Sequence, residues 1–134
     1  MQLNYDCVRD TLLLLEDKLT ISYGGGLSFG FIYLDDFADA LDSYSPEDVY
    51  YAVFNLRQAG FISCFPHDEP EYVIDGIEYI TFAGHEFLEE IRDAGKWTTI
   101  NGILSKVRTF SLSAISAAAE GVTSALICKY TSGN

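Results

Sequence analysis

Hydrophobic residues near the start of the chain recur at helical spacing. Four of them follow one another at steps of four, three and four: Val8, Leu12, Leu15 and Leu19. This spacing places their side chains on one face of an amphipathic helix. Asn4 precedes the stripe, and its side chain can cap the first turn. The pattern predicts a first helix that ends before the glycine-rich stretch SYGGGLSFG, where we expect a flexible connector.

Two further helices are predicted in the first half of the chain. The segment LDDFADALDS, with acidic residues available as caps, indicates a short second helix. The segment SPEDVYYAVFNLRQAG indicates a longer third helix, because Ser45 is a good cap and Pro46 suits the first helical position.

The segments that follow have the composition of strands. FISCF indicates one strand, and EYVIDGIEYITF contains two β-rich runs around Asp75 and Gly76, a pair typical of tight hairpin turns. Thr81 is then placed to cap a fourth helix through HEFLEEIRD. Three helices, a hairpin and a fourth helix form the element order of a winged helix. We therefore predict an α+β fold with a winged-helix-like body over residues 1–93.

Residues 94–134 are predicted to form a helical tail. Trp97, Ile100 and Leu104 mark a short helix, and Ser111 or Ser113 opens a last one. Within this last helix, five residues recur at the spacing of a two-heptad apolar seam: Leu112, Ile115, Ala119, Val122 and Leu126.

Three interpretations of the seam remain open. It packs against the body of the same chain, it joins copies of the chain into a homo-oligomer, or it lies on a membrane surface. The third is disfavoured, because the polar face lacks the Lys and Arg of interfacial helices. Polar residues and Glu120 interrupt the apolar run, so we expect no membrane-spanning helix.

Charge is unevenly distributed along the chain. Residues 1–93 hold four basic and nineteen acidic residues, a net charge of −15, whereas residues 94–134 hold four basic and one acidic residue, a net charge of +3. An acidic body repels the phosphate backbone, whose attraction to Lys and Arg supplies most nonspecific nucleic-acid affinity. Direct nucleic-acid binding is therefore disfavoured.

Cysteine usage indicates a reducing compartment. Cys7, Cys64 and Cys128 are far apart and odd in number, which favours neither a disulfide framework nor a zinc site. The first residues lack the basic flank and apolar run of a signal peptide. We expect a cytoplasmic protein whose thiols are buried or uninvolved in function.

One segment is distinctive. ITFAGHEFLEEIRDAGKW resembles L-T-x-x-G-H-x-F-L-x-x-I-R followed by Trp, the signature of a phage and prophage family catalogued as domain of unknown function 2513. DCVRDTLLLLE and YAVFNLRQAGFI resemble two further patterns of that family, in the same order. Ala52 stands where the family pattern has histidine, and Ile80 replaces a leucine. The resemblance implies a small, winged-helix-like phage protein with no established activity, acting in a bacterial host cell.

The pair His85-Glu86 raises the question of catalysis. It does not form HExxH, because Glu89 occupies the position four residues after His85. The acidic clusters lack the EF-hand order of ligands, and the glycine-rich stretch lacks the Lys-Ser/Thr of a phosphate loop. We therefore predict no catalytic residue, metal or cofactor. We interpret His85 as part of a clasp between the hairpin and the fourth helix, and favour this over partner contact or catalysis.

The third helix presents Asn55, Arg57 and Gln58, side chains that a DNA-reading helix uses. Acidic residues accompany them, so little positive charge is available to hold a phosphate backbone. We therefore predict a non-enzymatic accessory protein that binds a host or phage protein. The residues expected to contact this partner are acidic and polar side chains of the second helix, the third helix and the hairpin loop: Asp35, Asp36, Asp39, Asp42, Glu47, Tyr50, Tyr51, Asn55, Asp68, Glu69 and Glu71.

A basic, nucleic-acid-handling partner fits this surface. An array of carboxylates can occupy a channel that would otherwise hold DNA or RNA, and so inhibit a host defence or replication machine. The alternative is a winged-helix transcriptional regulator, in which an oligomer gathers four cations of the tail near a DNA duplex: Lys96, Lys106, Arg108 and Lys129.

Overall fold

The computed structural model describes residues 1–107 and 111–131, with side chains described as far as residue 125. It divides into two compact units, Met1–Glu86 and Phe87–Asn134. The division lies inside the fourth helix. Helices and two small antiparallel sheets are combined, which confirms the predicted α+β class.

The elements follow one another along the chain as a helix, a β-hairpin, a short strand, two helices, two strands and three helices. They are α1 (Tyr5–Lys18), β1 (Thr20–Tyr23), β2 (Leu27–Gly30), β3 (Ile32–Tyr33), α2 (Leu34–Ala40), α3 (Pro46–Gln58), β4 (Ile62–Phe65), β5 (Gly76–Ile80), α4 (Phe82–Ile91), α5 (Ala94–Val107) and α6 (Leu112–Thr131).

Local side-chain chemistry sets the starts of two helices, as predicted. The side chain of Asn4 accepts a hydrogen bond of 3.0 Å from the backbone N–H of Cys7 at the start of α1. Ser45 likewise accepts one of 3.2 Å from the N–H of Asp48, and Pro46 opens α3. Both bonds satisfy backbone donors that have no partner within the helix.

The main sheet has the strand order β3-β5-β4, with both pairings antiparallel. Its β4–β5 pair confirms a hairpin between Phe61 and Thr81, but this hairpin joins FISCF to the second of the two β-rich runs, and residues 71–74 of the first run form no strand. The predicted turn at Asp75 and Gly76 is wrong, because Gly76 is the first residue of β5 and pairs with Phe65. A Cβ added at Gly76 would collide with the Phe65 ring and the Ile32 carbonyl oxygen, so close packing explains the glycine.

The glycine-rich stretch forms a hairpin instead of the expected flexible connector. Because it precedes the β4–β5 pair in the chain, it is here named the first hairpin. Strands β1 and β2 pair antiparallel, with Ile21 opposite Phe29 and Tyr23 opposite Leu27. Gly25 and Gly26 in the connecting turn have φ angles of 83° and 142°, which other residues rarely adopt. The hairpin therefore inserts an extra pair of strands between α1 and β3.

The core of the first unit lies between its helices and the main sheet. Helix α1 packs against α3, α2 packs against α3, and both α1 and α2 contact β5. The largest fully buried side chains of this unit come from all of these elements: Val8, Leu12, Leu15, Phe37, Val49, Val53, Leu56 and Ile77. Val8, Leu12 and Leu15 of the stripe that predicts α1 are thus buried, whereas Leu19 is half-buried just after the helix.

The second unit contains the end of α4 together with α5 and α6, which pack against each other. Helix α5 begins earlier than the sequence suggests, because the Asp93 carboxylate accepts a 2.7 Å hydrogen bond from the N–H of Lys96 and caps it. Its residues Trp97, Ile100 and Leu104 are buried, as the pattern predicts. Ser111 caps α6 through a 3.0 Å bond from the N–H of Ala114.

The predicted seam of α6 is partly used within the chain. Ile115 and Ala119 are buried, whereas Leu112 and Val122 are half-buried. The side chain of Leu126 lies outside the described residues. Two central positions of the seam are therefore covered without a second copy of the chain.

Tyr44, in the connection between α2 and α3, ties that connection to α1. Its hydroxyl donates a 2.6 Å hydrogen bond to the Asp10 carboxylate. The pKa of Tyr44 is raised, mainly because the hydroxyl is partly buried and secondly because of this hydrogen bond. A hydrogen bond to a charged acceptor in a half-buried site contributes more than a neutral one. We expect Tyr44→Phe to lower the free energy of unfolding by about 1.5 kcal/mol in urea titrations.

Tyr50→Phe provides the matched control for this change. Tyr50 also donates to a carboxylate, at 3.0 Å from Asp35, but its side chain is exposed to solvent. We expect no measurable change in the free energy of unfolding, as for most surface substitutions. Equal effects of the two variants would show that the Tyr44 bond does not hold the connection.

Candidate functional site

Arg57 is the only basic residue of α3, and it is bonded to the hairpin loop. Its Nη1 donates to the carbonyl oxygens of Glu71 and Val73 at 2.8 and 3.0 Å, and its Nη2 donates to that of Pro66 at 3.1 Å. These bonds spread the guanidinium over three backbone acceptors and satisfy most of its donors. The one positive charge of α3 is thereby engaged by hydrogen bonds within the protein.

The loop that Arg57 contacts, residues 66–75, connects β4 to β5 and is here named the wing loop. It has two backbone hydrogen bonds of 2.8 Å, from Val73 N–H to Pro70 and from Asp75 N–H to Phe65. Asp68, Glu69 and Glu71 are all exposed on it. The predicted acidic side chains of the wing loop are therefore exposed to solvent. The backbone of the loop is held by hydrogen bonds from Arg57 to its carbonyl oxygens.

A second acidic group lies on α2, in the connection that follows it and at the start of α3. Its members are exposed carboxylates here named the helix cluster: Asp35, Asp36, Asp39, Asp42 and Glu47. Tyr50 joins this cluster through its hydrogen bond to Asp35. The hydrogen bond to Asp35, burial and the nearby charges of Asp35, Asp39 and Glu47 raise the pKa of Tyr50, so these three carboxylates lie around it.

Two of the predicted contact residues have roles inside α3. The side-chain amide of Asn55 donates a 2.8 Å hydrogen bond to the Tyr51 carbonyl oxygen, one turn earlier. The Tyr51 ring stacks on Phe54 with centroids 6.5 Å apart, and both Tyr51 and Asn55 are half-buried. Both side chains are therefore less accessible than the exposed carboxylates of α2 and the wing loop.

Sequence reasoning missed Asp75 as a member of the acidic surface. The backbone carbonyl of Asp75 accepts a 2.9 Å hydrogen bond from the N–H of Leu34, which brings the end of the wing loop to the start of α2. Asp35, Asp36 and Asp75 consequently line one open depression of about 460 Å³. The pairing of β3 with β5 produces this neighbourhood, and no local pattern announces it.

The clasp between the hairpin and α4 is formed by Thr81 and Gly84. The Thr81 hydroxyl donates a 2.6 Å bond to the Gly60 carbonyl and accepts one of 3.1 Å from the N–H of Gly84. A Cβ at Gly84 would collide with the carbonyl oxygen of Phe61. His85 contributes through its backbone, whose N–H donates a 2.9 Å hydrogen bond to the Thr81 carbonyl oxygen, whereas its side chain is exposed and lines a groove.

The groove beside His85 lies in the first unit and has a volume of about 270 Å³. Its floor and walls are mainly apolar side chains from the end of α1, the first hairpin and β5: Leu15, Leu19, Ile21, Phe29, Tyr79 and Ile80. Phe29 contacts the Tyr79 ring with centroids 4.7 Å apart. Glu16, Thr20, Glu78 and His85 are its polar lining residues.

Glu78 also contacts the second histidine of the chain, His67, which lies in the wing loop. The imidazole Nε2 of His67 lies 2.6 Å from a carboxylate oxygen of Glu78, and the Ser63 hydroxyl donates to the same oxygen at 3.5 Å. His67 is largely exposed. Across residues 1–107 and 111–131, no group of three or more His, Cys, Asp or Glu side chains is arranged to hold a metal ion.

The two described cations of the tail, Lys96 and Lys106, have different surroundings. The Lys96 ammonium donates a 2.5 Å bond to the Thr123 hydroxyl within the second unit. Lys106 is exposed. Arg108 and the side chain of Lys129 lie outside the described residues.

The two described cysteines are buried thiols. Burial raises the pKa of Cys7 to about 11 and that of Cys64 to about 12. Because the thiolate is the reactive form, both should react slowly with thiol reagents. In a Cys128→Ser variant at pH 8, we expect labelling at least about a hundredfold slower in the native protein than in urea. Rapid native labelling would show that these sites open readily.

The same thiols affect stability at high pH. A group whose pKa is higher in the folded protein than its ordinary value of 9.0 binds more protons folded than unfolded, so stability falls as pH rises. The loss begins near pH 9 and, for Cys7, continues to about pH 11. We expect Cys64→Ala to flatten this alkaline decline in urea unfolding between pH 9 and 11, relative to its own value at pH 7.

Within the part of the chain that the structure describes, no helix is long and apolar enough to cross a membrane.

Comparison with known proteins identifies a family and no named relative. Searches of the curated proteins and of the solved structures found no match. A protein-family model described as "Hypothetical protein (DUF2513)" matches residues 2–111, which include α1 to α5 and the clasp at Thr81 and Gly84. Because this match covers most of the chain, the protein belongs to the DUF2513 family.

Proposed function

We propose that this protein is a non-enzymatic accessory protein that binds a basic partner protein through its acidic surface. The surface comprises the helix cluster together with Asp75 and the exposed carboxylates of the wing loop. One observation carries the proposal: Arg57, the only base on α3, donates to three carbonyls of the wing loop and is unavailable to a phosphate backbone.

The architecture of the first unit supports a winged helix adapted to protein contact. A short strand between the first and second helices pairs with the last strand of a hairpin that follows the third helix. In DNA-binding proteins of the related helix-turn-helix class, one helix enters the major groove and neighbouring groups hold the phosphates. Here the corresponding helix begins with Glu47 and Asp48, and the loop beside it carries exposed carboxylates.

Charge gives the partner its chemistry. A surface of closely spaced carboxylates attracts Lys and Arg clusters and accelerates their association at low salt. Proteins that handle nucleic acids carry such clusters in the channels that hold the phosphate backbone. We infer that the acidic surface occupies a channel of this kind as a mimic of nucleic acid, in a phage or prophage setting in the cytoplasm of a bacterial host.

Capture of the partner tests this function. The full chain is immobilised and exposed to extract from infected host cells. We expect recovery of a basic, nucleic-acid-handling protein that is released as salt rises. Asp36→Asn combined with Asp39→Asn removes two exposed carboxylates of the helix cluster and should weaken capture.

The matched control removes the same charge elsewhere. Asp17→Asn combined with Glu86→Gln changes two exposed acids outside the acidic surface and should leave capture unchanged. If both double variants behave alike, net charge and not this surface governs binding. Recovery of no basic partner contradicts the proposal.

A DNA-shift experiment separates the regulator alternative. We expect the full chain to leave DNA fragments unshifted even at low ionic strength, where nonspecific phosphate binding is strongest. A sequence-specific shift that weakens steeply with salt would replace protein binding by DNA reading as the function. No contact in the described residues specifically favours that alternative.

A further inference from the structure

The first hairpin has one apolar face and one polar face. Cross-strand partners and alternate residues lie on the same side of an antiparallel pair, so four apolar residues share one face: Ile21, Tyr23, Leu27 and Phe29. The polar face carries Thr20, Ser22 and Ser28. A hairpin that served only as a connector would not need this separation.

Most of the apolar face is exposed to solvent. Ile21, Leu27 and Tyr23 are 61%, 65% and 81% exposed, whereas Phe29 is partly covered through its contact with Tyr79. Large apolar side chains grouped on one surface are typical of a binding site. The face continues into the groove, since both Ile21 and Phe29 line it.

The groove offers an apolar interior and a negatively charged rim. Leu15, Leu19 and Ile80 provide aliphatic surface, and Glu16 adds an exposed carboxylate. The carboxylate of Glu78, which also lines the groove, is shared with His67. A carboxylate beside an apolar pocket favours a ligand that is apolar at its centre and cationic at its ends. A second copy of the chain is a poor occupant, because each copy carries a net charge of −12.

We propose that the groove and the hairpin face together form a docking site for a short segment of a partner protein, in which a large apolar side chain is flanked by Lys or Arg. The apolar side chain enters the groove between α1 and β5, and a flanking cation meets the exposed carboxylate of Glu16. This site is separate from the acidic surface proposed above, because none of its lining residues belongs to the helix cluster or the wing loop.

Two synthetic peptides test the site on the full chain. Both contain the same tryptophan-leucine core, flanked by lysines in one and by glutamates in the other. Nitrogen-15 NMR titration should show that the lysine-flanked peptide shifts the amide signals of Ile21, Phe29, Tyr79 and His85. The glutamate-flanked peptide should leave them in place.

Variants on the two faces of the hairpin give the matched comparison. Ile21→Ser truncates an exposed apolar residue that lines the groove and should weaken the lysine-flanked peptide at least about fivefold. Ser22→Ala, on the opposite face, should not change its affinity. Glu16→Gln should weaken binding roughly threefold, and the difference should shrink as salt rises.

Several results would overturn the proposal. They are shifts confined to the helix cluster, equal shifts with both peptides, and unchanged affinity after Ile21→Ser. Concentration-dependent shifts of the hairpin without peptide would identify a second copy as the occupant. Asp36→Asn with Asp39→Asn should leave peptide binding intact, so failure of the acidic surface and failure of this groove are distinguishable.

Discussion

Gly84→Ala should lower the free energy of unfolding of the first unit by about 2 kcal/mol. The added methyl group would collide with the carbonyl oxygen of Phe61 and crowd the Ile80 side chain. The backbone at Phe61 cannot move away from Gly84 without weakening the hydrogen bonds that Thr81 forms with Gly60 and Gly84. Overpacking of this kind costs about 1–3 kcal/mol, which outweighs the helical preference of alanine.

Gly102→Ala is the control, because it makes the same chemical change in an open part of α5. No atom lies within 4 Å of a Cβ added there, so only the helical preference remains. We expect a gain of about 1 kcal/mol. Amide hydrogen exchange reports on each unit separately and should give opposite signs for the two variants. A neutral Gly84→Ala would mean that α4 does not begin in close contact with Phe61.

Arg57→Met should destabilise the first unit by about 3 kcal/mol and accelerate amide exchange throughout the wing loop. The substitution preserves much of the aliphatic stem but removes the donors to Pro66, Glu71 and Val73. Hydrogen bonds from a charged donor contribute about 1.5–3 kcal/mol each, and release of the loop offsets part of their combined loss.

Arg57→Lys separates charge from geometry. An ammonium group lacks the planar fork that reaches carbonyls on both sides of the loop, so we expect most of the loss to remain. Arg92→Met is the control for removing an arginine. Arg92, the first residue after α4, forms an ion pair of 2.8 Å with Glu89, a class of pair that contributes less than about 0.5 kcal/mol. Full rescue by lysine would show that charge alone anchors the wing loop.

Local signals account for what the sequence predicted well. Caps such as Asn4 and Ser45 act within one helical turn, and the stripe of α1 needs only a core to face. The first hairpin was missed although TISY and LSFG alternate between apolar and polar residues. The run of three glycines is typical of a flexible connector. The alternation of apolar and polar residues on both sides of it indicates a pair of strands.

Contacts between distant segments account for what could not be predicted. Asp75 and Gly76 have the composition of a tight turn, but the Phe65 ring and the Ile32 carbonyl decide their conformation. Arg57 likewise reads as a surface base of α3, since its acceptors are backbone oxygens of a loop that carries no motif. The acidic residues were identified by type, while their grouping beside Asp75 required the fold.

The central position of β5 has a consequence for synthesis of the chain. Ile32 pairs with Ile77, and Ile62 pairs with Ile80, so neither outer strand has a partner until residues 76–80 have left the ribosome. Until then Ile62 of the later core cannot be covered by β5, and nascent chains expose apolar surface. A stalled chain that ends before Gly76 should therefore bind holding chaperones, whereas one that extends beyond α4 should resist them.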